Sequence, residues 1–339
     1  MNKKKLIYLL TGIILTGCSA GKSQKAADIN TYLQTITPNE LREHLYIVAS
    51  DEMQGRDTGT EGQKKAGKYL IYQYEANKIK FPPAAESWYQ KVPSEFMARG
   101  FSPKLNDSEN IWAFIKGNEK PEEVVIVSAH YDHVGMKNGE VYNGADDDGS
   151  GTVALLEIAE AFKLAEKDGF KPKRSILFLH VTGEEHGLHG SRYYSEHPLY
   201  PFENTVADIN IDMIGRRDTL HPATNNYIYV IGSDRLSSEL HEINERMNSK
   251  YTQMELDYKY NDRNDPERIY YRSDHYNFAK KGVPAIFFFN GIHADYHMAT
   301  DTPDKIEYDA LAKRAQLAFA LAWELANREE KIIVDKDGK

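Results

Sequence analysis

Residues 128–151 read SAHYDHVGMKNGEVYNGADDDGSG. We expect the rest of the chain either to complete the site that this stretch begins or to hold it rigid. The stretch follows an apolar run at 124–127 and places His130 and Asp132 directly after that run. Three consecutive acids at 146–148 then lead into Gly-Ser-Gly, where an alanine- and leucine-rich helical pattern begins. A buried strand that ends in imidazole and carboxylate, followed by acids at a helix start, predicts the metal site of a hydrolase.

The composition is that of a globular protein with a sizeable core. The chain has 339 residues, of which 41% are hydrophobic, and 51 acids against 42 bases give it a net charge of −9. No basic run in the mature part suggests a nucleic-acid partner. No repeat or composition break divides the chain, so a single domain is predicted, while the oligomeric state stays open.

The N-terminus carries the features of a bacterial lipoprotein signal. Three lysines precede the apolar run Leu6–Leu15, which is too short for an ordinary transmembrane helix. The run ends in Leu-Thr-Gly before Cys18, the single cysteine, so no intramolecular disulfide can form. We therefore expect a signal peptide at 1–17, acylation of Cys18 and a flexible tether at 18–30. The mature protein would then be attached to a lipid bilayer in the cell envelope, most simply the outer membrane, facing the periplasm or the exterior. A plain secretory signal with an incidental cysteine is the alternative.

Strand and helix patterns alternate through the remaining chain. β-branched and apolar runs predict strands at 110–115, 124–129, 175–181, 206–211, 227–231 and 285–289. Helical spacing predicts helices at 38–50, 63–75, 151–165, 190–196, 233–249, 274–280 and 307–327. This alternation predicts a three-layer α/β/α sandwich around a mixed, mainly parallel sheet. The domain would span 31–330, with a charged, solvated tail at 331–339.

Polar clusters follow the predicted strands, where functional groups of such sheets gather. They are His130 and Asp132, Glu184 and Glu185, Asp212, and then Tyr296 and His297. Imidazole and carboxylate without thiolate suit a metal such as zinc. One dication would leave this many carboxylates repulsive, whereas two dications with a bridging hydroxide come close to neutrality. Two metal ions are therefore favoured.

Simpler motifs are excluded by spacing. The chain has no HExxH zinc motif, and the inverted version is not formed by His180 and Glu184. The acidic loop is not an EF-hand, because placing Gly149 at its sixth position puts Leu155 at the twelfth. Ser150 lacks the first glycine of the G-x-S-x-G esterase motif.

Five blocks in order carry a family resemblance. The blocks are HYDHVG, NGADDDGSG, TGEEHGLHGS, NIDMIGR and DYHMATDTPDKI. With GRDTGTEGQKKAGKYL near the start, they resemble the double-zinc aminopeptidase family, which also includes glutamate carboxypeptidases and glutaminyl cyclases. The resemblance covers about residues 38–327.

The resemblance implies a site that holds two zinc ions per chain. Asp147 would bridge the two ions. His130 and Asp212 would complete one metal site, and Glu185 and His297 would complete the other.

Three further residues have roles implied by the same resemblance. Glu184 would be the general base that acts on a water bridging the two ions. Asp132 would accept the far ring N–H of His130 and fix the orientation of the imidazole. Tyr296 would donate a hydrogen bond to the tetrahedral oxyanion. The family also has a cis peptide bond directly after the bridging aspartate, so we expect one here.

Other polar residues are predicted to have supporting roles. Asp146 and Asp148 are expected to cap the helix or hold the loop. Four histidines are not expected to bind metal: His133, His180, His186 and His189. Asp301 is expected in the turn before the last helix.

Residues 272–275 (Arg-Ser-Asp-His) are similar to a family block that borders the substrate pocket. Arg272, Asp274 and Tyr271 are accordingly predicted to bind substrate. An arginine near a substrate carboxylate would favour a carboxypeptidase, and an acid near a substrate ammonium would favour an aminopeptidase.

The resemblance thus predicts a zinc metallopeptidase that cleaves amino acids from the N-terminus of short peptides. Three alternatives remain open from the sequence. The first is a carboxypeptidase or dipeptidase of the same family, and the second is a glutaminyl cyclase that uses one zinc. The third is a catalytically silent lipoprotein that binds peptide or metal.

Overall fold

The computed structural model describes residues 28–98 and 105–337. The predicted signal peptide and Cys18, the predicted site of acylation, lie outside the described residues. In chain order, the strands of the described part are Tyr89–Val92 (β1), Ser108–Ile115 (β2), Lys120–His130 (β3), Met136–Lys137 (β4), Glu140–Val141 (β5), Arg174–Val181 (β6), Thr205–Ile211 (β7), Tyr227–Ile231 (β8), Glu255–Asp257 (β9) and Ala285–Phe289 (β10). The α-helices of the same residues are Ile29–Leu33 (α1), Pro38–Val48 (α2), Glu61–Ala76 (α3), Ser94–Met97 (α4), Gly151–Lys167 (α5), His189–Glu196 (α6), Ser238–Met247 (α7), His275–Ala279 (α8) and Tyr308–Asn327 (α9).

Eight strands form one mixed sheet in the order β1-β2-β6-β3-β7-β10-β8-β9. The central strand β3 pairs in parallel with β6 and β7, and β10 pairs in parallel with β7. Antiparallel pairs join β1 to β2, β2 to β6 and β10 to β8. The prediction of a mixed, mainly parallel sheet is confirmed. Because β3, β6 and β7 are parallel, their carboxyl ends lie at one edge of the sheet, where the polar clusters occur.

Helices cover both faces of the sheet, as a sheet buried on both sides requires. Val125 and Val127 of β3 pack on one face with residues of α2, α3, α5, α7 and α9. Val124 and Ile126 alternate onto the other face and pack with Phe278 of α8. All four β3 residues are fully buried, which explains why the run shows no apolar–polar alternation. The three-layer architecture is therefore confirmed.

Three predicted boundaries differ from the structure. The helix predicted from 233 begins at Ser238, because the backbone turns first and the Ser237 hydroxyl then accepts from Leu240 N at 3.2 Å. The tether predicted to reach residue 30 ends earlier, because α1 begins at Ile29, which is only 7% exposed. The tail also packs on the domain: Ile332 is buried, and Asp335 N donates to Leu236 O at 3.1 Å.

A helix that spans a bilayer needs about 20 consecutive, mostly apolar residues. Across residues 28–98 and 105–337, none of the helices has both the length and the apolar content of a membrane-spanning segment.

Candidate metal centre and cleft

His130 is the last residue of β3 and is fully buried. Its Nδ1 lies 3.1 Å from the backbone oxygen of Asp132, which can only accept, so Nδ1 carries the ring hydrogen. Nε2 is then free of hydrogen in the neutral ring. It lies 3.3 Å from Oδ1 of Asp147 and 3.6 Å from Oδ1 of Asp212. The lone pair of Nε2 and the two carboxylate oxygens therefore face one another, which is the arrangement of ligands around a metal ion.

The predicted role of the Asp132 carboxylate needs a correction. This carboxylate is 3.8 Å from His130 Nδ1, too far for a hydrogen bond, and the main-chain carbonyl of Asp132 takes that place. The carboxylate instead accepts from the Thr58 hydroxyl at 2.9 Å and from Glu184 N at 3.2 Å. Asp132 thus fixes the backbone of Glu184 as well as the ring of His130.

Asp147 sits in the turn between β5 and α5, and the peptide bond to Asp148 is cis, as expected. Two features hold this turn. The Asp301 carboxylate accepts from the backbone N–H groups of Asp146 at 3.0 Å and Asp147 at 3.2 Å. Gly144, at φ +55°, has room for no side chain, since an added Cβ would lie 2.3 Å from the Asp147 carbonyl oxygen.

The two acids beside Asp147 support the turn, in agreement with the prediction. Asp148 accepts from Gly151 N at 2.8 Å at the start of α5 and from Met213 N at 3.1 Å. Asp146 accepts from Gly215 N at 2.6 Å. Asp146 and Asp148 therefore connect the turn to the segment that follows β7.

The second oxygen of Asp147 faces a different group of side chains. Its Oδ2 lies 3.0 Å from Nε2 of His297, which is 2.9 Å from Oε2 of Glu185. Burial acts to lower the pKa of His297, but the carboxylates of Asp147 and Glu185 raise it to about 10. The site therefore favours positive charge between these carboxylates.

His133 belongs to the same group, although it was not among the predicted ligands. Its Nδ1 is 2.7 Å from Oε1 of Glu185 and 3.8 Å from Oδ2 of Asp147. The available signal was its place three residues after His130 in the same block. Its orientation depends on the loop after β3, and the spacing alone does not reveal it.

The donor set fits zinc ions. Several buried atoms of this group have no hydrogen-bond partner among the described residues, including Nε2 of His130, Oδ2 of Asp147, Oε1 of Glu185 and both ring nitrogens of His133. Imidazole nitrogen and carboxylate oxygen are common zinc ligands. The ligand atoms fall into two half-sites that share Asp147. His130 and Asp212 belong to one half-site, and Glu185 and His297 belong to the other.

Glu184 lies at the boundary between the metal centre and an open cleft. Its Oε2 is 3.9 Å from Nε2 of His130. Burial raises the pKa of Glu184 well above its usual range, an effect that Asp212 and Glu185 reinforce and His130 opposes. A carboxylate with a raised pKa is suited to accepting a proton during a reaction.

The cleft beside Glu184 is open to solvent, and its empty volume is about 350 Å³. Its lining combines carboxylates with apolar side chains and consists of Asp147, Glu184, Asp212, Met213, Ile269, Arg272, Phe287, Phe289, Ile292 and Tyr296. Arg272 Nη2 donates to the Tyr296 hydroxyl at 3.3 Å. Burial and neighbouring carboxylates raise the pKa of Tyr296, so its phenol stays protonated and can donate.

Of the three predicted substrate-binding residues, the structure places only Arg272 in the cleft. The prediction for Asp274 is wrong, because its carboxyl is fully buried, accepts from the Ser191 hydroxyl and does not line the cleft. Tyr271 is 40% exposed and packs edge-on against Tyr276, outside the cleft lining.

Comparison with known proteins places the site in a family context. The model of peptidase family M28 matches residues 110–322, which include every side chain of the two half-sites. A protein of Trichophyton verrucosum named "Probable leucine aminopeptidase" is 32% identical over 225 residues, or 64% of this chain. The chain spans 57% of that relative's length.

Solved structures share the fold. The LapA aminopeptidase of Legionella pneumophila superposes with a TM-score of 0.69 at 20% identity, covering 97% of this chain and 81% of that one. BSAP, a zinc aminopeptidase from Bacillus subtilis, superposes with a TM-score of 0.65 at 16% identity, covering 90% of this chain and 99% of that one.

Proposed function

Because this chain belongs to peptidase family M28, we propose that it is a zinc-dependent aminopeptidase that acts on short peptides. The observation that carries the proposal is the convergence of five side chains beside Glu184, which lines the cleft; they are those of His130, Asp147, Asp212, Glu185 and His297. The fungal relative and both solved structures described above are named as aminopeptidases.

The chain would hold two zinc ions. Asp147 would bind both, joined by His130 and Asp212 on one side and by Glu185 and His297 on the other. When bound, such ions polarise the scissile carbonyl and increase the acidity of the attacking water.

Side chains of the protein would carry out the proton transfer and stabilise the developing charge. Glu184 would take a proton from the attacking water and deliver it to the leaving amine, which balances the hydrolysis. The protonated Tyr296 would donate to the oxygen on which charge develops, with Arg272 orienting its phenol.

The cleft's charge and shape support an N-terminal substrate. Three carboxylates line it, from Asp147, Glu184 and Asp212, and when Asp147 and Asp212 hold zinc, Glu184 is the one left to attract a free α-ammonium group. The guanidinium of Arg272, which in a carboxypeptidase would bind the substrate carboxylate, here contacts the hydroxyl of Tyr296. The apolar lining residues, such as Phe289 and Ile292, suit an apolar side chain on the first amino acid.

A substrate panel tests the proposal. Leucine p-nitroanilide, its N-acetylated form, an N-blocked dipeptide and an N-terminal glutaminyl peptide would be compared with and without a zinc chelator. We expect hydrolysis of free-amine substrates alone, its loss with chelator and its return on adding zinc. Cleavage of the N-blocked dipeptide would instead indicate a carboxypeptidase. Cyclisation of the glutaminyl peptide without hydrolysis would indicate a cyclase, and zinc binding without any turnover would indicate a silent binding protein.

We further propose that the protein is a lipoprotein of the cell envelope, anchored through Cys18. The apolar run Leu6–Leu15 and the Leu-Thr-Gly before Cys18 support this. Labelling cells with radioactive palmitate should mark the wild-type protein and leave Cys18→Ala unmarked. An unlabelled wild-type protein would contradict the anchor.

A further inference from the structure

A row of polar side chains runs through the apolar layer beneath the metal centre. Asp208 and Asn210 of β7, with Asp212 just after it, alternate onto the same face of the sheet. Asp208 and Asn210 are fully buried, and that face otherwise packs apolar residues such as Ile126 and Phe278. Polar groups in such a layer need hydrogen-bond partners, and here they find them in one another.

The row connects to the metal centre through Ser273, which is 1% exposed and comes from the segment before α8. The Ser273 hydroxyl donates to Oδ2 of Asp212 at 2.7 Å. It accepts from Nδ2 of Asn210, also at 2.7 Å. A hydroxyl has one hydrogen, and an amide nitrogen only donates, so the Ser273 hydrogen is committed to Asp212.

The row continues below Asn210. The Ser128 hydroxyl lies 3.1 Å from Oδ1 of Asn210 and 2.7 Å from Oδ1 of Asp208. The Ser128 hydroxyl donates to Asp208, and this bond opposes the effect of burial, which raises the pKa of the Asp208 carboxyl well above its usual range. The hydrogen bonds of the row that reach the metal centre are those donated by Asn210 and Ser273, and both point toward Asp212.

The two oxygens of Asp212 consequently have separate partners. Oδ2 is held by Ser273, and Oδ1 is 3.6 Å from Nε2 of His130. We propose that Ser273 and Asn210 are positioning residues that hold the Asp212 carboxylate with Oδ1 directed into the metal centre. They thereby set the zinc affinity of the half-site formed by His130, Asp147 and Asp212. This inference rests on the proposed function, because it takes Asp212 as a zinc ligand.

The test measures zinc affinity and does not depend on turnover. Ser273→Ala and the wild type would be titrated with zinc against a competing chelator, with the ions per chain counted by native mass spectrometry. Loss of a hydrogen-bond partner to a metal ligand typically weakens binding about 10–100-fold. We expect one ion to be weakened by that factor and the other to be unchanged. Equal affinities in the two proteins would overturn the proposal.

Three variants show whether the effect is specific. Ser273→Thr keeps the hydroxyl and should restore most of the affinity. Asn210→Ala acts through Ser273 and should weaken the same ion by a smaller factor. Ser175→Ala removes another buried hydroxyl, which bonds to Pro121 O at 2.7 Å at the opposite end of the sheet, and should leave both affinities unchanged. Weakened zinc binding in Ser175→Ala would reduce the effect to general destabilisation and overturn the assignment.

The same substitution made in the Asp212→Ala variant identifies which ion is affected. In Asp212→Ala the half-site is already disrupted, so adding Ser273→Ala should leave the remaining zinc affinity unchanged. A further fall in that background would contradict action through Asp212. Wild-type protein that binds no zinc would overturn both the proposed function and this inference. Wild-type protein that binds two ions, with Ser273→Ala indistinguishable from it, would overturn this inference alone.

Discussion

Nε2 of His297 lies 3.0 Å from Oδ2 of Asp147, although the two residues are far apart in the sequence. Oδ1 of the same carboxylate lies 3.3 Å from Nε2 of His130. One side chain therefore faces both half-sites, and the turn that holds it is tied down by the Asp301 carboxylate. Occupancy of the two half-sites should depend on this residue in common.

Replacing Asp147 should therefore affect both metal ions. We expect Asp147→Ala to retain no zinc after dialysis against a weak chelator, and Asp212→Ala to retain one ion per chain. Zinc per chain would be measured by atomic emission. Asp168→Asn, which alters a carboxylate that accepts from Tyr32 at 3.1 Å far from the site, should retain two. Two ions in Asp147→Ala would contradict the shared role.

Glu184→Gln should separate metal binding from catalysis. The amide has the shape of the carboxylate but cannot take a proton from water, and general-base catalysis contributes about 10²–10⁴-fold. We expect kcat to fall by that factor while zinc content stays at the wild-type value. Glu166→Gln, at a partly exposed ion pair with Lys163, is the control and should keep full activity. Near-normal turnover in Glu184→Gln would reject the assigned base.

Arg56 is a fully buried guanidinium that should be important for stability. It donates to the carbonyl oxygens of Tyr131 at 3.0 Å, Val48 at 2.9 Å, Asn143 at 2.7 Å and Gly144 at 2.8 Å. Arg56→Met would leave these acceptors without a donor. At about 1–3 kcal/mol for each unsatisfied buried group, we expect a loss of about 3 kcal/mol or more.

Urea unfolding of the zinc-free protein measures this loss. The matched control is Arg246→Met, which removes an exposed arginine paired with Glu324 at 3.1 Å. It should change the free energy of unfolding by less than about 1 kcal/mol. Equal effects of the two substitutions would mean that the buried hydrogen bonds of Arg56 contribute little to stability.

His180 should make stability depend on pH. It is fully buried with Nε2 2.7 Å from the Tyr74 hydroxyl, and burial lowers its pKa to about 3. The unfolded chain, with an ordinary pKa near 6.5, takes up a proton below that pH that the folded protein does not. The free energy of unfolding therefore falls as the pH drops from about 6.5 toward 3, by about 2 kcal/mol at pH 5.

His180→Gln does not titrate and should lose about 2 kcal/mol less than the wild type between about pH 7.5 and pH 5. Urea unfolding at both pH values gives the comparison, and metal release affects both proteins alike. His197→Gln, at the exposed end of α6, should keep the wild-type pH dependence. Parallel curves for wild type and His180→Gln would contradict the prediction.

The fold could be predicted because its signals are local. The apolar run that became β3 has a length and composition that indicate a strand buried on both faces. Helical spacing likewise predicted α3, α5 and α9 to within a few residues. The short strand β9 was missed, since its three residues have no clear period, and the start of α7 was misplaced by a preceding turn.

The residue types of the metal centre were also available from the sequence, because its blocks keep ligand and spacing together. The layers of the fold, the chemistry of the predicted ligands and the edge of the sheet where they meet could therefore be predicted from the chain alone.

The contacts between side chains across that edge became known from the folded chain. It brought His133 to Glu185, gave the ring of His130 a backbone acceptor and buried Asp274 away from the cleft. It also placed Ser273 against Asp212. These relations depend on distances between segments far apart in the chain, which are set by strand order and packing and leave no periodic pattern in the sequence.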